Sequence, residues 1–335
     1  MVAVLAVPSS ALGLVVGHPA IAGPSLGSKA AAGVDGPDLP IAAARSILVG
    51  GSPWGIAYDS ANNRIYVAND GSNTVSVING TSDKVTRTIP VGSQPLGVAV
   101  DSSNHRVYVT NSGSDNVTVI NEASGKVVRS IPVGSGPTGV AFDSSNGFLY
   151  VANTYSTNDN VTVINGTNEK IVGSITAGSG PWGVAYDSTN KRVYVSNELS
   201  DNLTVIDGKS AKLRVIGSVT VGQYPVGIAF DSSNKHLYVA DLFADDVSIV
   251  NGTSDVVVAT VHVGTYPIWD AFDSSNKRVY VTNEGSANVS MISQSTGTVV
   301  GSDPVGSGPT GVAYDSMNAY VFVANGLGDN VTVLK

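Results

Sequence analysis

Pro95-Leu96-Gly97-Val98-Ala99-Val100-Asp101, followed after a four-residue break by Arg106-Val107-Tyr108-Val109-Thr110-Asn111, is one copy of a pattern that the chain carries seven times. Its marker proline recurs at Pro53, Pro95, Pro137, Pro181, Pro225, Pro267 and Pro309, with spacings of 42, 42, 44, 44, 42 and 42 residues. Thirteen residues after each proline stands an aromatic: Tyr66, Tyr108, Tyr150, Tyr194, Tyr238, Tyr280 and Phe322. A constant period of this length marks a supersecondary unit that buries its faces against copies of itself.

Each unit reads as four short strands, a to d. In the second unit these are Gly97 to Val100, Arg106 to Thr110, Asn116 to Asn121 and Val127 to Val133, separated by turn-forming Asp, Ser, Asn and Gly. Strands a to c are apolar on both faces, as in Val107, Tyr108 and Val109, so each sheet needs cover on both sides. Four strands per period of about 42 residues predict an all-β fold, a seven-bladed β-propeller of antiparallel blades. The ends decide between a closed ring and an open array. Residues 43–49 match a strand d with no blade before it, and Val331 to Lys335 is a strand c with no strand d after it. Pairing the two completes blade seven and removes two exposed edges.

The seven elements typified by Tyr108-Val109-Thr110-Asn111 and Tyr280-Val281-Thr282-Asn283, with the flanking Pro-x-Gly-Val-Ala-x-Asp and Asn-Val-Thr-Val-Ile-Asn segments, resemble the YVTN β-propeller repeat family over residues 43–335. The resemblance implies a surface-layer or cell-surface setting of archaeal type. It implies no particular reaction.

Residues 1–28 contain no Lys, Arg, Asp or Glu; 1–22 read as a signal or anchor segment with a small-x-small site at Ala20-Ile21-Ala22, and 23–42 as a Gly/Pro/Ala linker. That organisation predicts an extracellular or cell-surface protein that meets a membrane only through residues 1–22, if they are retained. The net charge of −8, with only 18 scattered basic residues, argues against a nucleic-acid partner. The chain has no Cys, which excludes disulfides and thiolate chemistry.

A search for catalytic groups yields none, and no metal or other cofactor is predicted. The four histidines stand at unrelated places in the repeat: His18 in the leading segment, His105 and His236 near the a–b turn, and His262 on strand d. The recurring acids Asp59, Asp101, Asp143, Asp187, Asp231, Asp273 and Asp315 close each strand a, where the side chain suits an Asx turn. Symmetry spreads them around the ring, whereas a glycosidase pair needs carboxyls roughly 5 to 10 Å apart.

Departures from the repeat carry more functional information than its regularities. Trp54, Trp182 and Trp269 all fall within two residues after the marker proline, in the loop from strand d to strand a at one axial mouth. Trp269 and Asp270 displace the Gly-Val or Gly-Ile pair of the other blades. Tyr224 and Tyr266 precede their prolines where blades three, four and seven have Gly. The b–c loops, expected on the same face, add Glu198, Asp241, Phe243 and Glu284. Aromatic platforms beside carboxylates suit sugars or cationic groups; the competing expectation is that the rings plug the central channel. The resulting functional expectation is a binding or structural module for a polysaccharide or a cell-envelope protein. The alternative is a propeller lyase or hydrolase working at the mouth of blades four to six.

Eight Asn-x-Ser/Thr sequons occur, five of them generated by the start of strand c. Asn79, Asn165 and Asn251, in Asn-Gly-Thr turns between strands c and d, are the better glycosylation candidates.

Overall fold

A computed structural model describes residues 45–209 and 213–335. The expected segments 1–22 and 23–42, with His18, lie outside the described residues, as does the start of the 43–49 strand. The rest forms seven four-stranded antiparallel sheets; six are built in sequence order from one repeat each. The seventh takes strands a to c from Pro309–Asp315, Tyr320–Asn325 and Asn330–Leu334, and its outer strand from Arg45–Leu48.

The closing pair runs in the register Arg45↔Val333, Ser46↔Thr332, Ile47↔Val331 and Leu48↔Asn330. Three further contacts hold the seam. The Val49 amide donates to the Asp329 carbonyl at 3.1 Å, the Ser52 amide donates to Asp329 Oδ1 at 2.8 Å, and Arg45 forms an ion pair with Asp83 of blade one. Ile47, Phe322, Val331 and Val333 pack with Ile56, Ile65 and Ile78, so the junction of first and last blades has an apolar core like the other seams. Those cores explain the two-faced apolar strands: each sheet is sandwiched between its neighbours.

The Tyr-Val-Thr-Asn element can be read residue by residue from blade two. Tyr108 is fully buried and its hydroxyl donates to the Gly166 carbonyl in the c–d turn of blade three, at 3.1 Å. Val109 fills the seam with blade one. Thr110 Oγ1 accepts the Gly97 amide and donates to the Thr138 carbonyl on strand a of blade three, at 2.5 Å. Asn111 Nδ2 donates to Asn116 Oδ1 at 2.8 Å and to Thr118 Oγ1 at 2.9 Å, tying strand b to strand c. Asn116 and Thr118 are the ends of a sequon, so the repeat produces sequons for a structural reason.

Strand a starts at the marker proline, earlier than the sequence pattern suggests, and its ladder to strand b shifts register just after it. The glycine two places beyond the proline lies against the next blade: a Cβ on Gly55, Gly97, Gly139, Gly183, Gly227 or Gly311 would collide with the carbonyl of the following strand a. This close approach lines the central channel with backbone. Blade six alone replaces that glycine, with Trp269, which pairs opposite Thr282 in the ladder.

Candidate functional site at the axial mouth

The d–a and b–c loops share one face, because each b–c loop hydrogen bonds to the d–a loop that opens its own blade. In blade five the Leu242 amide donates to the Tyr224 carbonyl at 3.0 Å; in blade six Glu284 donates to Tyr266 at 2.9 Å. The blades are then tied to each other by the last residue of the b–c loop. Asp201 Oδ1 accepts the Tyr224 amide and Asp245 Oδ1 accepts the Tyr266 amide, both at 2.9 Å across a blade boundary.

These two acids hold the tyrosines in an unusual backbone state. Tyr224 has φ 60° and Tyr266 φ 54°, at the position where three blades place glycine. A bulky residue in the left-handed region costs about 1–2 kcal/mol relative to its preferred conformation. The consequence is that both rings stand on the mouth face, with Phe243 between them. The Tyr224 and Phe243 ring centroids are 4.5 Å apart and tilted by 41°; Phe243 meets Tyr266 edge-on at 6.3 Å. Phe243 remains 49% exposed.

Glu198 stands at one end of this row, within hydrogen-bonding reach of the Tyr224 hydroxyl, and is only 6% exposed with Oε2 lacking a hydrogen-bond partner. Burial pushes its carboxyl up to about 7, a rise that Tyr224 partly opposes. Tyr155 from blade three lies near enough to feel the Glu198 charge. Tyr155 and Leu199 are more than half exposed. Sequence reasoning missed both, although the signal existed: they fill the second position of the b–c loop, as Phe243 does, where blades one, two and six carry glycine.

The three tryptophans lie at the channel. Trp54, Trp182 and Trp269 converge on the channel with Leu96, Gly97 and Thr138, and the 170 Å³ of empty space among them has no room for a water-sized sphere. Trp182 and Trp269 also pack, with Tyr224 and Tyr266, on Val226, Ala240, Leu242 and Ile268. The half-buried Trp182 and Trp269 thus share their packing with Tyr224 and Tyr266, and Phe243 is the exposed ring of the row.

Asp241 and Asp270 lie beneath the face. Asp241 replaces the Asn of the repeat and cannot donate as Asn111 does; instead Ser248 Oγ donates to its Oδ2 at 2.6 Å, and burial pushes the carboxyl up to about 7. Opposite it in the ladder, Asp246 replaces the Asn that opens strand c and pairs with His262 at 3.1 Å. Asp270 takes the place of Ile56 or Val98, is 4% exposed, and neither oxygen makes a well-formed hydrogen bond, the Ala229 amide and its own only partly offsetting the burial. Burial, and secondarily the charge of Asp241, push it well above the usual carboxylate range.

Other expectations concern the opposite face. Each a–b Asp accepts a backbone amide two residues on, as Asp101 does from Ser103 at 3.0 Å, which is the Asx-turn role. Asn79, Asn165 and Asn251 end strand c, half-buried, and each side-chain oxygen accepts two amides of its own turn. Among the described residues no cluster of three His, Cys, Asp or Glu is arranged to hold a metal ion, and no helix is long and apolar enough to cross a membrane.

The seven four-stranded sheets define a seven-bladed β-propeller. Residues 49–256 match the family described as "Lactonase, 7-bladed beta-propeller", and the chain belongs to that family. No curated protein matches the sequence. Among solved structures the chain is similar to a hydrazine synthase of Kuenenia stuttgartiensis, at 20% identity with TM-score 0.75, over 91% of this chain and 99% of that one. It is also similar to a streptogramin B lyase, at 15% identity with TM-score 0.74, over 87% and 97%. At these identities the likeness concerns the fold alone.

Proposed function

We propose that this protein is a surface-associated propeller of the YVTN-repeat type that binds saccharide on the mouth face of blades three to six. The observation that carries this reading is the row Tyr224, Phe243 and Tyr266. It is contiguous and confined to one sector, with Phe243 exposed between the half-buried Tyr224 and Tyr266, which keep a backbone state that glycine would hold more cheaply. The left-handed backbone recurs at this position in every blade, but only in blades five and six does it carry aromatic side chains. Flat rings stack on the C–H faces of sugars, and the neighbouring acid accepts from hydroxyls. Export through residues 1–22, and glycans on Asn79, Asn165 and Asn251, fit this setting; the intact mass of protein from its native source tests the latter, since a bare polypeptide mass rejects it.

The test is a polysaccharide panel scored by affinity electrophoresis, with Phe243→Ala and Tyr266→Ala beside the parent. Retarded migration of the parent that both variants lose is the expected result. Migration of the variants identical to a retarded parent, or no retardation by any polysaccharide, refutes the reading.

A second reading rests on Glu198. A carboxyl raised to about 7 next to a tyrosine hydroxyl is suited to general-base work, and the family description names lactonases. Hydrolysis of a lactone panel that disappears in Glu198→Gln would favour this enzyme over a binding module.

A further inference from the structure

Charge is distributed over the propeller by face. The d–a and b–c loops contain no Lys, Arg or His in any blade, while each blade's b–c loop supplies at least one acid, from Asp70, Asp115 and Asp159 in the first three blades to Glu284 in blade six and Asp329 in blade seven. The described lysines and arginines fall instead on the opposite turns and the strands, as with Lys126, Lys170 and Lys277. A face bearing charge of one sign raises the local concentration of the opposite ion and repels its own. The ring row therefore sits in a field that favours cations and disfavours uronic or sulfated sugars.

A second observation points the same way at atomic scale. Glu198 is more than nine-tenths buried beside Tyr224, and its Oε2 has no partner. Among the described residues no cationic side chain offsets the burial of this carboxyl. An ammonium placed over the Tyr224 and Phe243 rings would meet a ring face with the buried Glu198 carboxyl beside it, behind the Tyr224 hydroxyl, and cation–ring contact next to a carboxylate is a combination by which proteins hold organic cations.

We infer that the ligand is a cationic saccharide, an oligomer of amino sugars with free amines, its ring faces stacked on Tyr224, Phe243 and Tyr266 and one amine held by Glu198. The inference rests on the saccharide-binding reading above and adds the ligand's charge. An ion pair with this buried carboxylate, added to ring contacts that both forms of the sugar make, corresponds to about a tenfold gain in affinity.

The test compares binding of a glucosamine hexamer, an N-acetylglucosamine hexamer and a lysine hexamer by calorimetry at pH 7, in 20 and 300 mM salt. The glucosamine hexamer is expected to bind at least tenfold more tightly than the other two and to weaken in salt. In Glu198→Gln its advantage over the N-acetyl form should fall at least fivefold, and Phe243→Ala should weaken both sugars. Equal binding of the two sugars overturns the charge assignment and leaves the saccharide reading standing. Binding of the lysine hexamer as tight as that of glucosamine overturns the amino-sugar class, because charge alone then suffices. Binding of none of the three overturns this inference; the polysaccharide panel then reports separately on the reading beneath it.

Discussion

Replacing Asp270 by Val should make this protein more stable, and more so in alkali than in acid. The position belongs to the apolar interior: Ile56, Val98, Val140, Val184, Ile228 and Val312 fill it in the other blades. Leaving a buried polar group without a partner costs about 1–3 kcal/mol. Burying a valine side chain there contributes about 1.5–2 kcal/mol more, so the gain at pH 8 is about 2.5–5 kcal/mol. The sign of the pH dependence follows from the direction of the shift. The folded carboxyl titrates well above its unfolded counterpart, so the native state holds its proton more tightly. The destabilisation is therefore absent below the unfolded pKa, near 4, and grows as pH rises toward the folded one. Urea unfolding of parent and Asp270→Val at pH 4.5 and pH 8 measures it, with a higher midpoint and unchanged slope expected for the variant, by a wider margin at pH 8. A variant less stable than the parent at pH 8, or an equal gain at both pH values, refutes the reasoning.

Asp241 and Glu198, both raised to about 7, should give the parent a stability that declines between about pH 4 and pH 7, by up to about 3–4 kcal/mol each before relaxation is allowed for. Asp241→Asn restores the donor that the repeat uses elsewhere and should flatten part of that decline in a urea series from pH 4.5 to 8. Ile47→Ala should cost about 2–4 kcal/mol, as much as Ile131→Ala at the equivalent place in blade two; a much smaller loss at Ile47 would show that the closing strand frays. Tyr108→Phe should cost about 1 kcal/mol by removing its bond to Gly166 while keeping the ring, which Phe322 already does without in blade seven.

The ring was legible in the sequence because its causes are local and repeated. A constant period, a two-faced apolar pattern and complementary chain ends each constrain the same sheet, and the closing register agrees with all three. The mouth was legible in part, through residues that break the repeat. Phe243, Tyr224 and Tyr266 were found that way, and Tyr155 and Leu199 were available to the same comparison. Depth was not legible. Trp269 and Asp270 are adjacent departures, yet one lines the channel and the other is sealed in a seam, because alternation along a strand sends neighbours to opposite faces. Nor does a lone sequence reveal that Asp201 and Asp245, ordinary turn residues, hold the two tyrosines by their amides across a blade boundary.

Hydrogen exchange with and without the glucosamine hexamer tests most directly whether the mouth face of blades three to six is where this protein meets its ligand. Slowed exchange is predicted in residues 154–157, 198–201, 242–245 and 265–268, with the turns around Asn79, Asn165 and Asn251 unchanged. Protection confined to those opposite turns, or spread evenly around all seven blades, would contradict it.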